Sequence, residues 1–260
     1  MTETAAIRTE GLTKHFGEKT AVHPLDLDIA PGTFYCFLGP NGAGKTTTIK
    51  MLTGLLHPSG GRALLGGHDI QKDPLSAKRL LGYVPDHPFL YDKLTGNEFM
   101  QFVAGLYRMT PAEYAARCAP LLEMFEIAAV ADQLIEDYSH GMRQKLSFAS
   151  CFLHDPKIVV VDEPWVGLDP KNIRFVKDFL KQRCRETGLT VFMSTHTLSI
   201  AEEIADIVGI IHRGRLLRAG TVNEIKALRH TAGGSLEDVF LEITRDEDDP
   251  GAAGGGAAGA

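Results

Sequence analysis

Apolar and polar residues alternate along residues 7–16 and 22–29, the period expected of strands with one buried and one solvated face. Gly17-Glu18-Lys19 supplies a turn between them, so the two runs predict an antiparallel pair. Thr33-Phe34-Tyr35-Cys36-Phe37-Leu38 is a continuous apolar run that ends in glycine, and residues 47–52 then read as the start of a helix. Gly66-Gly67 and Pro74 punctuate shorter strand candidates, and residues 80–85 read as a strand entering a loop. From residue 95 to about residue 138 the apolar spacing becomes helical, through Phe99, Phe102, Val103 and Leu106 and again through Leu121, Leu122 and Phe125. Buried strands at 158–161, 190–193 and 207–211 then alternate with helices at 170–186 and 198–205, the order of a parallel sheet covered on both faces. A hairpin return over 214–220, a helix over 221–229 capped by Thr221 and an amphipathic helix over 235–243 follow, and a Gly/Ala tail from Pro250 is expected to be disordered.

The apolar run of residues 33–38 opens directly into Gly39-Pro40-Asn41-Gly42-Ala43-Gly44-Lys45-Thr46. This matches the phosphate-loop pattern without a mismatch and sits between a strand and a helix, where its physics requires it. Gly39, Gly42 and Gly44 let the backbone curl so that successive N–H groups and the positive end of the helix face one anionic pocket. Lys45 is placed to bridge the β- and γ-phosphates of a nucleotide, and Thr46 to offer its hydroxyl to Mg²⁺. The candidate binding set is Gly39, Asn41, Gly42, Gly44, Lys45, Thr46 and Thr47.

A second signal is Ile158-Val159-Val160-Val161-Asp162-Glu163-Pro164, a fully apolar strand ending in two carboxylates. The end of a parallel strand opens onto the ligand crevice. Asp162 is placed to hold Mg²⁺ and Glu163 to orient or deprotonate the attacking water.

Length and composition fit one large domain or one domain with a sizeable insertion: 260 residues, 44% of them hydrophobic. A net charge of −6 gives no electrostatic reason to expect a nucleic-acid partner. Cys36, Cys118, Cys151 and Cys184 are too far apart for a metal knuckle or a redox pair and lie in apolar segments, which fits a reducing cytosol. No apolar stretch approaches the ~18 to 20 residues that cross a bilayer, so a membrane role requires another subunit.

Taken in order, these motifs resemble the nucleotide-binding subunits of ABC transporters over roughly residues 7–229. Tyr138-Ser139-His140-Gly141-Met142-Arg143-Gln144 is similar to the family signature L-S-G-G-Q-R-Q. It retains Ser139 and Gly141 but carries His140 and Met142 at the second and fourth positions counted from the serine. Read physically, Ser139 is a helix N-cap whose helix start can also receive a phosphate. Gly167-Leu168-Asp169-Pro170 resembles the family's D-loop, in which the aspartate communicates across a dimer; alone it is a turn with Asp169 capping a helix. Ser194-Thr195-His196 resembles the switch histidine at the γ-phosphate. Phe16 falls where the family stacks an aromatic on adenine, although alone it fits a core position. Asp86 stands in Tyr83-Val84-Pro85-Asp86-His87 where the family's Q-loop has glutamine, and offers Mg²⁺ a charged ligand in place of a neutral carbonyl.

The resemblance implies an α/β fold: a P-loop NTPase core with a mostly parallel sheet, an N-terminal antiparallel β subdomain and a helical insertion carrying the signature. The corresponding boundaries are 1–94 and 155–230 for the core with its β subdomain, 95–154 for the insertion, 231–249 for a C-terminal helix and 250–260 for the tail. It further implies ATP and Mg²⁺ as cofactors, Glu163 and His196 as the catalytic pair, and Thr46, Asp86 and Asp162 around the metal. Its partners would be a membrane-spanning permease and a second copy or a paralogous ATPase subunit. The location would then be cytoplasmic, on the inner face of the membrane through the permease. The C-terminal helix is similar to that of export-type members. A soluble ABC-type ATPase acting on ribosomes, DNA or assembly complexes is the alternative, and such proteins usually carry a second cassette or long heptad arms.

Overall fold

The computed structural model describes residues 4–165, 169–227 and 235–248. The chain opens with a hairpin of β1 (Ile7–Phe16) and β2 (Lys19–Ile29), paired from Ile7 opposite Ile29 to Phe16 opposite Lys19. Lys19, expected in the turn, already belongs to the strand, because Gly17 adopts the left-handed conformation that closes a tighter turn. β3 (Phe34–Leu38) and α1 (Lys45–Leu52) follow, and β4 (Gly60–Leu65) and β5 (His68–Asp69) return to extend the hairpin into a four-stranded antiparallel sheet.

Pro74 does not punctuate a strand. It opens α2 (Pro74–Leu80), whose first turn is closed by the Asp73 carboxylate accepting the Ser76 N–H at 3.3 Å. Proline costs nothing at a first helical position, where its missing N–H has no intrahelical partner. After β6 (Leu81–Val84) the helical stretch divides into α3 (Gly96–Leu106) and α4 (Pro111–Met124), each started by a reciprocal capping box, Thr95 with Glu98 and Thr110 with Glu113. Two 3₁₀ turns, Ala128–Val130 and Ile135–Asp137, then lead to α5 (His140–Phe152).

The remaining elements are β7 (Ile158–Asp162), α6 (Pro170–Thr187), β8 (Thr190–Thr195), α7 (Leu198–Ile204), β9 (Ile207–His212), β10 (Arg215–Gly220), α8 (Val222–Ala227) and α9 (Leu236–Asp248). The 221–229 helix is described only to Ala227, with Thr221 and Glu224 capping each other, and the tail expected to be disordered lies outside the described residues.

The central sheet runs in the order β10-β9-β3-β8-β7-β6, parallel except for the edge strand β10. The inner strands β3, β7 and β8 are buried along their whole length, covered on both faces, which is why they read as largely apolar runs. Phe34, Cys36, Leu38, Val159, Val161, Val191 and Met193 join a cluster that includes Phe99, Phe125, Leu146 and Phe148 from the helical insertion. Tyr35, Phe37, Val160 and Phe192 point the other way, to α1 and the antiparallel sheet through Ile49, Leu12 and Val22. Each such side chain contributes about 1.5–3 kcal/mol by leaving water. All four cysteines are free and buried.

Candidate active site

The loop after β3 is held by close backbone approaches. A Cβ on Gly39 would lie 2.3 Å from the Ile211 carbonyl, and one on Gly44, which has φ 110°, would lie 2.8 Å from the Ala21 carbonyl. The Gly214 N–H donates to the Ala43 carbonyl at 2.8 Å. At the start of α1, Lys45 is only 5% exposed. Its Nζ donates to the carbonyls of Gly39 at 2.7 Å and Pro40 at 3.1 Å and lies 3.2 Å from Oε1 of Glu163.

β7 delivers Asp162 opposite Ser194 of the parallel neighbour β8. Asp162 is fully buried. Its Oδ1 accepts the Ser194 hydroxyl at 2.5 Å and the Thr46 hydroxyl at 3.4 Å, while its Oδ2 is buried with no hydrogen-bond partner among the described residues. Burial pushes its carboxyl above the ordinary aspartate range; the two hydroxyls oppose that shift, and the charges of Asp86 and Glu163 add to it. An orphaned carboxylate oxygen beside a threonine hydroxyl is a hard-oxygen set that fits Mg²⁺.

Glu163 follows with φ 44°, a left-handed conformation that is costly for a residue with a side chain. Its N–H donates to the same Ser194 hydroxyl at 3.2 Å. The carboxylate is shared, one oxygen facing Lys45 and the other accepting from Nδ1 of His196, at the end of β8. One line of polar groups thus runs Lys45, Glu163, His196.

Lys45 and Glu163 line a cavity of about 520 Å³ together with Phe16, Asn41, Gly42, Thr46 and Thr47. Phe16 is 51% exposed, with the Lys14 ammonium 5.2 Å from its ring centroid, so it is a surface aromatic and not core. Lys19 and Arg213 also line the cavity. Sequence reasoning missed both, since each is an ordinary turn residue until the β1–β2 and β9–β10 hairpins bring it to the loop. It also missed Ser194 as a partner of Asp162, because strand order and register are not encoded in either strand alone.

The other expected site residues lie elsewhere. Ser139 caps α5 by accepting the Met142 N–H at 3.3 Å, with Gly141 in the first turn, and neither lines the cavity. Behind them, fully buried Gln144 donates to the Pro164 carbonyl at a long 3.5 Å, tying α5 to the exit of β7. Asp169 caps α6 through the Asn172 N–H at 3.0 Å, which holds its carboxyl below the ordinary range; Gly167 and Leu168 lie outside the described residues. Asp86 turns toward His87, accepting its N–H at 2.8 Å and pairing with its Nδ1 at 3.1 Å, rather than joining the hydrogen bonds of Thr46 and Asp162.

Residues 22–166, over half of the chain, match the profile of the family described as ABC transporter. The chain belongs to the ABC transporter family. The daunorubicin resistance ATP-binding protein DrrA3 of Streptomyces coeruleorubidus is 35% identical over 236 residues, 91% of this chain and 73% of that protein. The bacitracin transport ATP-binding protein BcrA of Enterococcus faecalis is 36% identical over 219 residues, 84% and 70% of the two chains. A solved ATP-binding subunit of an ABC transporter superposes with a TM-score of 0.87 at 30% identity, covering 92% of this chain and 99% of that one. An ATP-binding cassette solved as a dimer in a post-hydrolysis state with ADP and Pi shares the fold, with a TM-score of 0.75 at 24% identity over 83% and 98%.

The fold expected from the sequence is therefore the fold found, and the chain is an ABC ATPase subunit that binds and hydrolyses ATP as the motor of a membrane transporter. No helix among the described residues is long and apolar enough to cross a membrane. Subunits of this family dimerise and act with membrane permeases.

Proposed function

We propose that this ABC ATPase subunit drives a membrane exporter, and that the line Lys45, Glu163, His196 beside the orphaned oxygen of Asp162 is its hydrolytic centre. That juxtaposition carries the reading, because a nucleotide-binding module without turnover has no use for a carboxylate held between a lysine and a histidine. Phe16 offers its exposed face to adenine, the loop N–H groups and Lys45 take the phosphates, and Glu163 accepts the proton of the attacking water. Thr46 and Asp162 are the residues that would hold Mg²⁺, which supplies charge neutralisation at the phosphates when bound. His196 orients the Glu163 carboxylate.

Ser139 and Gly141 do not line the chain's own cavity. They are assigned to the ATP of a second subunit, a copy or a paralogue, with Asp169 at the same junction. Binding then closes the pair and hydrolysis reopens it. Phe89, 85% exposed, and Tyr91, packed edge-on against the exposed Phe102 at 5.2 Å, form an apolar surface after β6 suited to a short helix of the permease. This contact would place the subunit on the inner face of the membrane. Export is favoured by the relatives, whose names record drug resistance and bacitracin transport; the cargo is left to the permease.

Purification from detergent-solubilised membranes of the native cell, followed by mass spectrometry, tests this reading. A stoichiometric multi-span membrane protein is the expected companion. Recovery only in the cytosolic fraction, or with ribosomes or DNA, overturns it in favour of a soluble ATPase.

Asp86 is assigned a place near the metal through its charge, which already acts on Asp162. A carboxylate there repels the γ-phosphate unless Mg²⁺ is present, so turnover of the parent should depend more steeply on Mg²⁺ than that of Asp86→Gln, which should stay active. Superimposable magnesium titrations of the two proteins remove Asp86 from this role.

A further inference from the structure

Phe16 ends β1 with about half of its surface exposed, too open for packing alone to immobilise its ring. An aromatic that must be ordered when its ligand arrives binds more weakly than one already held. The structure supplies a holder. Lys14 stands two residues earlier on β1 and hence on the same face of the strand, and its ammonium lies 5.2 Å from the ring centroid, within the range of a cation–π contact. Phe16 and Lys19, its partner across the hairpin, line the nucleotide cavity, and Lys14 does not.

The ammonium is itself anchored. Its Nζ donates to the His57 carbonyl at 2.7 Å, in the segment that follows α1. The residues on either side of Lys14 are tied to the same segment: the Ser59 N–H donates to the Thr13 carbonyl at 2.8 Å, and the His15 N–H to the Ser59 hydroxyl at 3.0 Å. Three consecutive residues of β1 are thus bonded to residues 57–59. The helix before that segment begins at Lys45 of the phosphate loop, so the end of β1 that bears Phe16 is fastened to the element whose other end faces the phosphates.

We propose that Lys14 is a positioning residue for the nucleotide base: held by the His57 carbonyl, its ammonium keeps the Phe16 ring in the orientation in which adenine stacks on it, and touches neither base nor phosphate. The proposal rests on the reading of Phe16 as the adenine platform. A cation that acts through the ring affects a ligand only where base and ring are both present. A cation that acts by general attraction for the anion does so in the absence of either.

Calorimetric titration of the full chain with ADP, which carries the base without being turned over, and with pyrophosphate, which lacks it, separates the two. Lys14→Met keeps the stem and removes the ammonium. It should weaken ADP binding about twofold to fivefold, the size of an exposed cation–π contact, and leave pyrophosphate binding unchanged. Lys14→Arg, whose guanidinium also stacks on aromatic faces, should restore the parental affinity for ADP. In a Phe16→Ala background, Lys14→Met should cause no further loss. Parental ADP affinity in Lys14→Met, equal weakening of ADP and pyrophosphate, failure of Lys14→Arg to restore binding, or a full further loss in the Phe16→Ala background overturns the proposal, in variants whose melting curves show them folded. Phe16→Ala binding ADP as tightly as the parent removes the platform reading and the proposal with it, whereas a weakened Phe16→Ala beside an unaffected Lys14→Met removes Lys14 alone.

Discussion

Glu163→Gln hydrolyses ATP at least about a hundredfold more slowly than the parent while still binding it, the loss expected when a general base is removed. Glutamine has the size of glutamate and faces the same backbone demand at φ 44°, so the substitution leaves the loop geometry in place. It removes the carboxylate that His196 and Lys45 both address. Phosphate release in a single turnover reads the chemical step, and sedimentation with ATP present should show the variant accumulating as a closed pair of subunits. Near-parental turnover removes Glu163 from the role of base.

Lys45→Ala fails at an earlier step. The parental ammonium is buried and already held on two carbonyls of the phosphate loop, so it meets the nucleotide without having to be ordered. A charge-assisted hydrogen bond contributes about 1.5–3 kcal/mol, and losing the bridge between two phosphates lowers ATP affinity by about a hundredfold or more. Calorimetric titration with ATP measures this directly, and a melting curve separates it from misfolding. Tight ATP binding in that variant contradicts the role given to Lys45.

The two variants act on groups that local sequence identified, and the reason is physical. A phosphate loop is a contiguous device, because its glycines, lysine and threonine do their work within eight residues of backbone. The apolar strands beside it are equally legible, since burial on both faces leaves an unbroken run such as Ile158 to Val161. What was not legible depends on pairing between distant segments. Ser194 becomes the hydroxyl of Asp162 only once β8 lies in parallel register beside β7. Phe16 taken alone reads as core, and only its resemblance to the family's adenine-stacking aromatic marks it as a site residue; the hairpin leaves it exposed at the cavity. The helix from Pro74 was hidden because proline suggests a break, and only the capping Asp73 reveals a start. Asp86 could be recognised as a departure from the family, but its engagement with His87 is a matter of side-chain direction that spacing does not specify.

The phosphate loop touches backbone at the end of β9, at Gly214 of the following turn and at Ala21 of β2. Its shape is thus paid for during folding, when those strands come together, and not when the nucleotide arrives. Fixing a flexible loop at the moment of binding would consume about 1–2 kcal/mol for each residue ordered. Because that entropy has already been lost, the attraction between ATP and this subunit remains available as mechanical work on whatever the subunit is joined to.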